Sequence, residues 1–370
     1  MSIPLRLLVI GRSARMLAQL AVDAGFQVVA IDCYADLDTC RLATETVRVA
    51  DLAVADIAEA VEALTQKHGL THAVYGSGFE AHVDSLRYLE SRLIVLGNPP
   101  TLFMRFQDKP AFFRHLQQLA IPYPDTVFSP PAADQAWLVK PMRGEGGFAI
   151  SRHCLEQTVD AGRFYWQRYL NGQAMSVLFV ADHGKIKLFG FNRQWIAEGH
   201  EQPFTFAGIA NHAHVSSQNR ALLVEWLDGL GKVYPLRGLG SLDFIVKDGQ
   251  CYMLELNARI PASAQLYGKS VFTAHCLACL GRTVEIGSSE PAGFHTVFAR
   301  NDLLISSGVS WPEWVVDRPA DGAFVGKGRP VCSIIAGGND AQQVEDRLRR
   351  RQLIIENFLY TGHLTHAIPS

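Results

Sequence analysis

The sequence lacks an excess of charge of either sign, and it lacks long apolar runs. Its 370 residues include 34 Lys and Arg against 36 Asp and Glu, which gives a formal net charge of -2. Nucleic acids and anionic membrane surfaces attract strongly basic proteins, so this balance argues against both as partners. No stretch approaches the roughly 18 uninterrupted apolar residues that a membrane-spanning helix requires. A chain that is 48% hydrophobic can still fill the cores of two or three domains.

Cysteine is also scarce, and its pattern argues against a disulfide framework. The seven cysteines are an odd number and are scattered from Cys33 to Cys332, which is typical of free thiols in a reducing compartment. The apolar run at residues 5–10 ends in Gly11 rather than in a cleavage site, so we expect a first strand and not a signal peptide. The expectation from both features is a cytoplasmic protein.

Strands and helices alternate through the first hundred residues. Short apolar strands separated by amphipathic helices predict a parallel sheet wound with crossovers. Asp32 ends the second strand, where a dinucleotide-binding protein carries an acid for the ribose, but the turn at Gly11 lacks the second glycine of that motif. A nicotinamide dehydrogenase is therefore the weaker alternative. The predicted strands are residues 5–10, 27–31, 46–50, 73–75 and 93–96, and the predicted helices are residues 13–24 and 56–68.

An acidic hairpin is predicted far downstream, at residues 240–259. Glu255 and Asn257 are two residues apart on one strand, so both side chains point to the same face and can present oxygens to a hard cation such as Mg2+. Arg259 comes next and would lie near any phosphate that this cation bridges. An ordinary solvated hairpin is the alternative for this segment.

The position of Asp243 relative to Glu255 depends on the hairpin turn at residues 248–249. A two-residue turn would pair Asp243 with Leu254 and place it on the opposite face from Glu255. A three-residue loop with its glycine in the left-handed conformation, followed by a bulge, would place Asp243 opposite Met253. We predict this second arrangement, in which Asp243 shares the face of Glu255.

A glycine-rich segment upstream has the features of a loop that covers phosphates. Residues 136–141 form a predicted buried strand that carries Lys140 near its end, and Gly144, Gly146 and Gly147 follow. Glycines let backbone N–H groups approach phosphate oxygens closely, and a lysine supplies a point charge for them. The lysine precedes the glycines, so the segment is not a P-loop. A simple tight turn is the alternative.

Two further segments carry candidate binding groups. Residues 165–180 predict two apolar strands with a break between them, which either offer backbone groups to an adenine edge or form a plain core pair. Residues 76–80 follow a strand at its carboxyl end, where open α/β sheets bind ligands. There Ser77 and Glu80 either face a ligand or form a capping box at a helix start.

From residue 107 to residue 263 the sequence resembles the ATP-grasp enzymes, in which two α+β subdomains close on ATP. The resemblance implies a mobile phosphate cover at residues 144–147 and an adenine hinge at residues 167–170. The family often has a glutamate in the hinge where this chain has Arg168. The implied ATP contacts are Lys109, Lys140, Gly144, Gly146 and Gly147 at the phosphates, and Gln167, Arg168, Tyr169 and Leu170 at the adenine.

The same resemblance implies a metal site and catalytic residues. Asp243, Glu255 and Asn257 would bind Mg2+, or Mn2+, on the ATP phosphates. Arg259 and Lys140 would act as catalytic residues on the phosphate that is transferred.

The resemblance also predicts how the chain is organised. We expect an α/β and α+β protein with an ATP-grasp fold, beginning with a Rossmann-like domain at residues 1–100. The expected ATP-grasp domain spans residues 101–290, with a lid subdomain at about residues 124–180. Residues 291–370 are expected to form a small β-rich segment with a helix, similar to the C-terminal piece of carboxylase-type ATP-grasp proteins.

The reaction implied by the resemblance is ATP-dependent ligation. A substrate carboxylate would be activated as an acyl phosphate and captured by an amine, so the expected partners are small-molecule carboxylates and amines. By analogy with the family's amino-acid ligases, the candidate substrate residues are Arg193, Gln194, Ser77 and Glu80. This set looks like the subset that includes tyramine–glutamate ligase and its relatives in one-carbon carrier biosynthesis. Glutamate as a substrate and cofactor biosynthesis as the process are the narrower expectations.

Two other functions remain open at this point. The tail supports a biotin-carboxylase-like or carboxyphosphate-using enzyme, and a non-catalytic ATP-binding protein is the third reading. Intact Lys140, Glu255 and Asn257 argue against the last, because a purely binding protein needs no metal on the γ-phosphate. Extended strands near the sheet edges are compatible with a homodimer.

Overall fold

The computed structural model describes residues 5–132, 136–154, 159–182, 185–282 and 284–361. No helix within these ranges combines the length and hydropathy that crossing a bilayer would require. The helices are α1 (Arg15–Asp23), α2 (Leu37–Leu42), α3 (Val54–His68), α4 (Val83–Glu90), α5 (Pro100–Gln107), α6 (Lys109–Gln118), α7 (Ser217–Val233), α8 (Ser270–Cys279) and α9 (Ala341–Thr361), with a short 3-10 helix at Ala262–Leu266.

The strands form four sheets. The strands are β1 (Arg6–Gly11), β2 (Gln27–Asp32), β3 (Glu45–Arg48), β4 (His72–Tyr75), β5 (Ile94–Leu96), β6 (Thr126–Val127), β7 (Trp137–Pro141), β8 (Ser151–Arg152), β9 (Phe164–Arg168), β10 (Gln173–Asp182), β11 (Lys185–Ile196), β12 (Phe206–Ala210), β13 (Arg237–Lys247), β14 (Gln250–Asn257), β15 (Ala292–Phe298), β16 (Leu303–Leu304), β17 (Val315–Val316), β18 (Phe324–Val325) and β19 (Pro330–Gly337). Strands β16 and β18 form a separate two-stranded ribbon. The outermost parts of the first and last predicted domains, residues 1–4 and 362–370, lie outside the described residues.

The first sheet is parallel, as the sequence predicts, with the order β3-β2-β1-β4-β5. Leu7 and Val9 of β1 pack in one core with α1, while Leu8 and Ile10 pack on the other face with α3 and α4. Helices on both faces explain why the strands are almost wholly apolar. Helices α2 and α4 escaped prediction because six and eight residues are too few to show a helical period.

Asp32 has a structural role at the end of β2. Its carboxylate accepts hydrogen bonds from the backbone N–H groups of Ala14 at 2.7 Å and Tyr34 at 2.6 Å. The side chain is fully buried, so no oxygen of it faces a ribose. The dinucleotide-binding alternative therefore loses the residue on which it rested.

The largest sheet is antiparallel, with the order β14-β13-β10-β11-β12-β15-β19-β17. Leu242 and Phe244 of β13 point into a core that contains residues of α6 and α7. Asp243 lies between them in sequence and therefore points to the opposite face. The strands after residue 291 continue this sheet through the pairing of β12 with β15, and they form the β-rich C-terminal region that the sequence predicts. The proposed domain boundary at residues 290–291 stays a prediction.

A small antiparallel sheet, in the order β6-β9-β7-β8, carries the glycine-rich segment. Two helices precede it, and Asp108 separates α5 from α6. The side chain of Asp108 accepts a hydrogen bond from the backbone N–H of Ala111 at 2.9 Å and so caps α6. Lys109 consequently sits in the first turn of α6.

A buried ion pair joins the first sheet to the C-terminal region. The Nε atom of Arg15 lies 2.8 Å from an oxygen of Asp317, and the side chain of Arg15 is only 6% exposed. The same guanidinium donates two hydrogen bonds of 3.1 Å to Gln265. One residue further on, Arg318 pairs with Asp38 of α2. These contacts hold residues 317–318 against the first sheet.

Replacing Arg15 by alanine should destabilise the protein by about 3 kcal/mol, because it leaves the carboxylate of Asp317 buried without its cation. Urea denaturation of the Arg15→Ala variant measures this loss. The matched control is Arg87→Ala, which removes an exposed pair with Asp84 and should change the unfolding free energy by less than about 0.5 kcal/mol. Equal losses in the two variants would show that the Arg15 contact contributes no more than a surface pair.

Candidate active site

The acidic hairpin forms, but with a tighter turn than the sequence analysis predicts. Lys247 pairs with Gln250, so only Asp248 and Gly249 form the turn. Both have positive φ angles, 50° and 78°, as a two-residue hairpin turn matching the twist of the strands requires. The predicted three-residue loop is therefore wrong.

A bulge nevertheless brings Asp243 to the predicted face. Phe244 pairs with Met253, and the register then shifts so that Asp243 lies directly opposite Glu255. Leu254 is the extra residue of β14, and it moves every later residue by one position. The predicted partner of Asp243, Met253, is thus wrong, whereas the predicted proximity to Glu255 is present. The bulge lies within the strands rather than at the turn.

The opposed carboxylates of Asp243 and Glu255 repel each other electrostatically. Burial, followed by the negative charge of Glu255, raises the pKa of Asp243 to about 7. Burial also raises the pKa of Glu255, but Lys109 and Lys140 more than offset it and hold that pKa below its usual value. A divalent cation between the two acids would relieve their repulsion.

The donor set fits a hard cation such as Mg2+. Asn257 donates a 3.0 Å hydrogen bond from its amide nitrogen to Asp243 and a 3.3 Å bond to Ser241, which fixes the amide beside the acid pair. Carboxylate and amide oxygens are ligands that Mg2+ accepts. Within the described residues, no group of three or more His, Cys, Asp or Glu side chains is placed to hold a metal ion.

Two lysines approach the acid pair from different elements. The Nζ atom of Lys109, in the first turn of α6, lies 3.2 Å from Glu255. The Nζ atom of Lys140, on β7, donates a 3.1 Å hydrogen bond to the side-chain oxygen of Gln167. Burial lowers the pKa of Lys140 to about 8, with Glu255 opposing the shift. Lys109 therefore contacts Glu255 directly, and the charge of Lys140 acts on the same carboxylate.

The phosphate cover, residues 144–147, lies tightly against the segment that leads into β12. The backbone N–H of Phe206 donates to the carbonyl of Gly146 at 2.9 Å. Gly147 has a φ of 74°, and a Cβ atom there would lie 1.9 Å from the carbonyl oxygen of Phe204. Only glycine fits this position, so the glycine pattern reflects a close backbone contact as well as the turn.

The predicted adenine hinge begins at the end of β9. Gln167 is almost fully buried, and its side chain holds Lys140 on one side and donates to Thr126 at 3.1 Å on the other. Arg168 lies over the ring of Trp137, 5.6 Å from its centroid. Tyr169 packs near Phe204, and Leu170 is half-buried beyond the strand. The backbone of residues 169–170 is therefore the part of the hinge that lies outside the strand.

Arg259 is paired at the end of the acidic strand. Its Nε atom lies 2.5 Å from Oε1 of Glu80, and Oε2 of Glu80 accepts the backbone N–H of Gly78 at 3.0 Å. Helix α4 begins later, at Val83, so the capping-box alternative for residues 77–80 is wrong. Glu80 instead joins the turn after β4 to the acidic hairpin.

One cleft collects six of the predicted site residues. It lies between the phosphate cover, α6 and the end of β14. Gly144 of the phosphate cover and Glu255 of the acid pair, which are more than 100 positions apart in sequence, therefore line a single cleft. The predicted site residues that line it are Glu80, Lys109, Gly144, Glu255, Asn257 and Arg259.

The two candidate substrate residues of β11, Arg193 and Gln194, point to opposite faces of the sheet. Gln194 directs its amide nitrogen to Asp243 at 3.5 Å, on the face of the acid pair. Arg193 points to the other face, where its Nη1 atom lies 3.2 Å from Glu345 of α9. Adjacent residues of a strand alternate faces, so one of the pair had to leave the site. Placing Arg193 beside a substrate in the cleft is therefore wrong.

Sequence reasoning missed the ion pair between Arg12 and Glu145. Arg12 follows β1, and its Nε atom lies 3.1 Å from Oε1 of Glu145, which stands between the cover glycines. A charged residue inside a glycine-rich loop was the available signal. Its partner, 133 positions away, could not be found without the fold.

Comparison with known proteins identifies the class of this site. Residues 106–263 match the family model described as "ATP-grasp domain". These residues contain the acid pair, both lysines, the phosphate cover and the hinge. The chain therefore carries an ATP-grasp domain at residues 106–263.

Individual relatives are distant in sequence. An uncharacterized protein of Methanocaldococcus jannaschii is 22% identical over 260 residues, which are 66% of this chain and 64% of that protein. The biotin carboxylase domain of 2-oxoglutarate carboxylase from Hydrogenobacter thermophilus superposes with a TM-score of 0.71 and 14% identity, covering 95% of this chain and 90% of that one. N5-carboxyaminoimidazole synthetase from Staphylococcus aureus superposes with a TM-score of 0.68 and 16% identity, covering 95% of this chain and 98% of that one. At these identities the structural likeness shows the fold alone.

Replacing Gly147 by alanine should push the phosphate cover away from Phe204, since the new Cβ atom would overlap the carbonyl oxygen. Limited trypsin digestion should then cleave after the exposed Arg143 at least about 5-fold faster than in the native protein, because proteolysis follows local opening. Gly199→Ala is the matched control. Gly199 has a similar φ of 71° but no atom within 4 Å of the added methyl group. Equal cleavage rates in the two variants would contradict the tight contact.

Proposed function

We propose that the protein is an ATP- and Mg2+-dependent ligase that activates a substrate carboxylate as an acyl phosphate and joins it to an amine. The observation that carries the proposal is the cleft lined by Lys109, Gly144, Glu255, Asn257 and Arg259, with Asp243 directly opposite Glu255 on the neighbouring strand. Phosphoryl transfer needs mainly positioning and charge stabilisation, and these groups supply both. Mn2+ would fit the same oxygen ligands.

The nucleotide would lie between the small sheet and the large one. Asp243, Glu255 and Asn257 would hold Mg2+, which supplies neutralisation of the phosphate charge. Lys109 and Lys140 would contact the phosphates, and the charges of both already act on Glu255. The N–H groups of the phosphate cover would close over the phosphate oxygens, and the hinge backbone at residues 167–170 would bind the adenine.

The chemistry would proceed in two steps. A carboxylate oxygen of the substrate attacks the γ-phosphorus, the bond to the bridging oxygen breaks, and ADP leaves. The amine nitrogen then attacks the acyl carbon, phosphate leaves, and the amine gives up its proton. Arg259 would stabilise the charge on the transferred phosphate, since it lies two residues after Asn257 at the end of the same strand. The closed cover would keep water from hydrolysing the acyl phosphate.

The substrates would enter beside the first sheet. The crevice between β1 and β4 is the point where the strand order reverses, and open α/β sheets bind ligands there. Ser77 and Glu80 lie in the turn after β4, and Gln194 reaches the acid pair from β11. Glutamate as a substrate, a place in cofactor biosynthesis and a cytoplasmic location are narrower parts of the same proposal.

A carboxylase is the second candidate function. Its support is the likeness to the Hydrogenobacter thermophilus biotin carboxylase domain, which was studied as a dimer with MgADP, ADP and bicarbonate. A bicarbonate ion is itself a carboxylate that ATP can phosphorylate, so the same cleft would serve. Homodimerisation of this chain is proposed on the same comparison. A protein that binds ATP without turnover is the third candidate.

An ADP-release screen over pairs of carboxylic acids and primary amines, with bicarbonate as one acid, tests the proposal. ADP formation should require Mg2+ and both substrates, and Glu255→Ala should lower its rate by at least about 100-fold, because the metal loses a charged ligand. Glu59→Ala, on the exposed surface of α3, should leave the rate unchanged.

The outcomes separate the candidates. ADP release that needs an amine supports the ligase, whereas release with bicarbonate alone supports the carboxylase. Nucleotide-dependent thermal stabilisation with no ADP under any condition would support the binding protein. Unchanged ADP formation in Glu255→Ala would overturn the metal assignment.

A further inference from the structure

We propose that Arg12 and Glu145 are positioning residues of the nucleotide site: their ion pair locks the closed phosphate cover to the turn that follows β1. The proposal rests on the proposed function, since it assumes that the cover closes over a nucleotide. It adds a role for the first sheet, which would hold the cover in place as well as accept a substrate.

The ion pair spans two separate parts of the fold. Arg12 belongs to the turn between β1 and α1, and its backbone N–H donates to the carbonyl of Ser77 at 3.0 Å. This bond ties the turn to the loop after β4, so the base of Arg12 is rigid. Glu145, by contrast, lies in a loop without regular structure, and its Oε1 atom is 3.1 Å from Nε of Arg12. The ion pair therefore ties Glu145 of the phosphate cover to the turn after β1.

Glu145 depends on its cation. Its Oε2 atom is buried and has no hydrogen-bond partner among the described residues. Burial raises the pKa of Glu145, and so does the neighbouring Glu80, while Arg259 and Arg12 lower it. Arg259 is already paired with Glu80 at 2.5 Å. Arg12 is thus the cation that pairs directly with Glu145 in this position.

Arg12 has a second, exposed partner that offers a control. Its Nη2 atom lies 3.4 Å from Asp51, whose side chain is 44% exposed and also faces His82 at 3.4 Å. Asp51 lies on the first sheet's side of the contact and touches no part of the phosphate cover in the described structure. A variant of Asp51 therefore alters the surroundings of Arg12 without altering the lock.

The other contacts of the cover are made by backbone groups and by Gln202, whose side chain accepts the N–H of Ala149 at 3.0 Å. Gly146 and Gly147 pack against residues 204–206. Gln202 and residues 204–206 belong to the segment that leads from β11 into β12 of the large sheet. The ion pair between Arg12 and Glu145 connects the phosphate cover to the first sheet. Closure of the cover is thereby coupled to the proposed substrate crevice through one side-chain contact.

Charge removal at the two partners should have unequal effects. Arg12→Gln leaves Glu145 without its ion-pair partner, so the cover should open. Glu145→Gln removes the pair and the buried charge together, so its effect should be smaller. The double variant should behave like Glu145→Gln alone, since nothing is left for Arg12 to neutralise. Arg12→Lys keeps the charge and should restore much of the lock.

The test measures two quantities on the full chain. Calorimetry gives the affinity for MgADP, and limited trypsin digestion gives the rate of cleavage after Arg143 with and without MgADP. Arg12→Gln should weaken MgADP about 10-fold and speed cleavage by a similar factor, and Glu145→Gln should change both about 3-fold. Asp51→Asn should match the native protein. Thermal unfolding of each variant confirms that the chain is folded.

The proposal is overturned if Arg12→Gln and Asp51→Asn give equal affinities and cleavage rates, or if the double variant shows the product of the two single effects. A native protein that fails to bind MgADP would instead refute the proposed function. The cleavage rates without nucleotide would still decide whether Arg12 holds the cover, because they need no ligand.

Discussion

The constraint on which this site depends is the opposition of two carboxylates, Asp243 and Glu255, across neighbouring antiparallel strands. Like charges directly opposite each other on a sheet destabilise it unless other charges compensate. Here Lys109 and Lys140 favour the charged form of Glu255, while the pKa of Asp243 rises to about 7. Strand pairing thus keeps two carboxylates close together despite their repulsion. A divalent cation bound with its phosphates would reduce that repulsion.

The surrounding fold serves to hold that pair in place. The core beneath β13 fixes the strand through Leu242 and Phe244, and the bulge at Leu254 sets the register that makes the acids meet. The small sheet brings Lys140 over the same point, and the phosphate cover closes the cleft against residues 204–206. The first sheet completes the enclosure through Glu80 and its contact with Arg259. The large sheet, the small sheet and the first sheet therefore each contribute to the site.

Much of this arrangement could be predicted from the sequence because it is encoded locally. Strand and helix alternation gives the parallel sheet, and the two-residue spacing of Glu255 and Asn257 gives their common face. The position of Asp243 was predicted through the wrong turn, because a bulge inside a hairpin leaves no clear mark in the sequence. The position of Arg193 beside Glu345 and the pairing of Arg12 with Glu145 involve partners more than 100 residues apart, which only the assembled fold brings together.

The most direct measurement is a crystal structure with Mn2+ and ADP, using the anomalous scattering of manganese to locate the ion. The account predicts an anomalous peak within coordinating distance of both Asp243 and Glu255, with the ADP phosphates extending from it under residues 144–147. A manganese ion that binds elsewhere, or ADP that lies outside this cleft, would contradict the account.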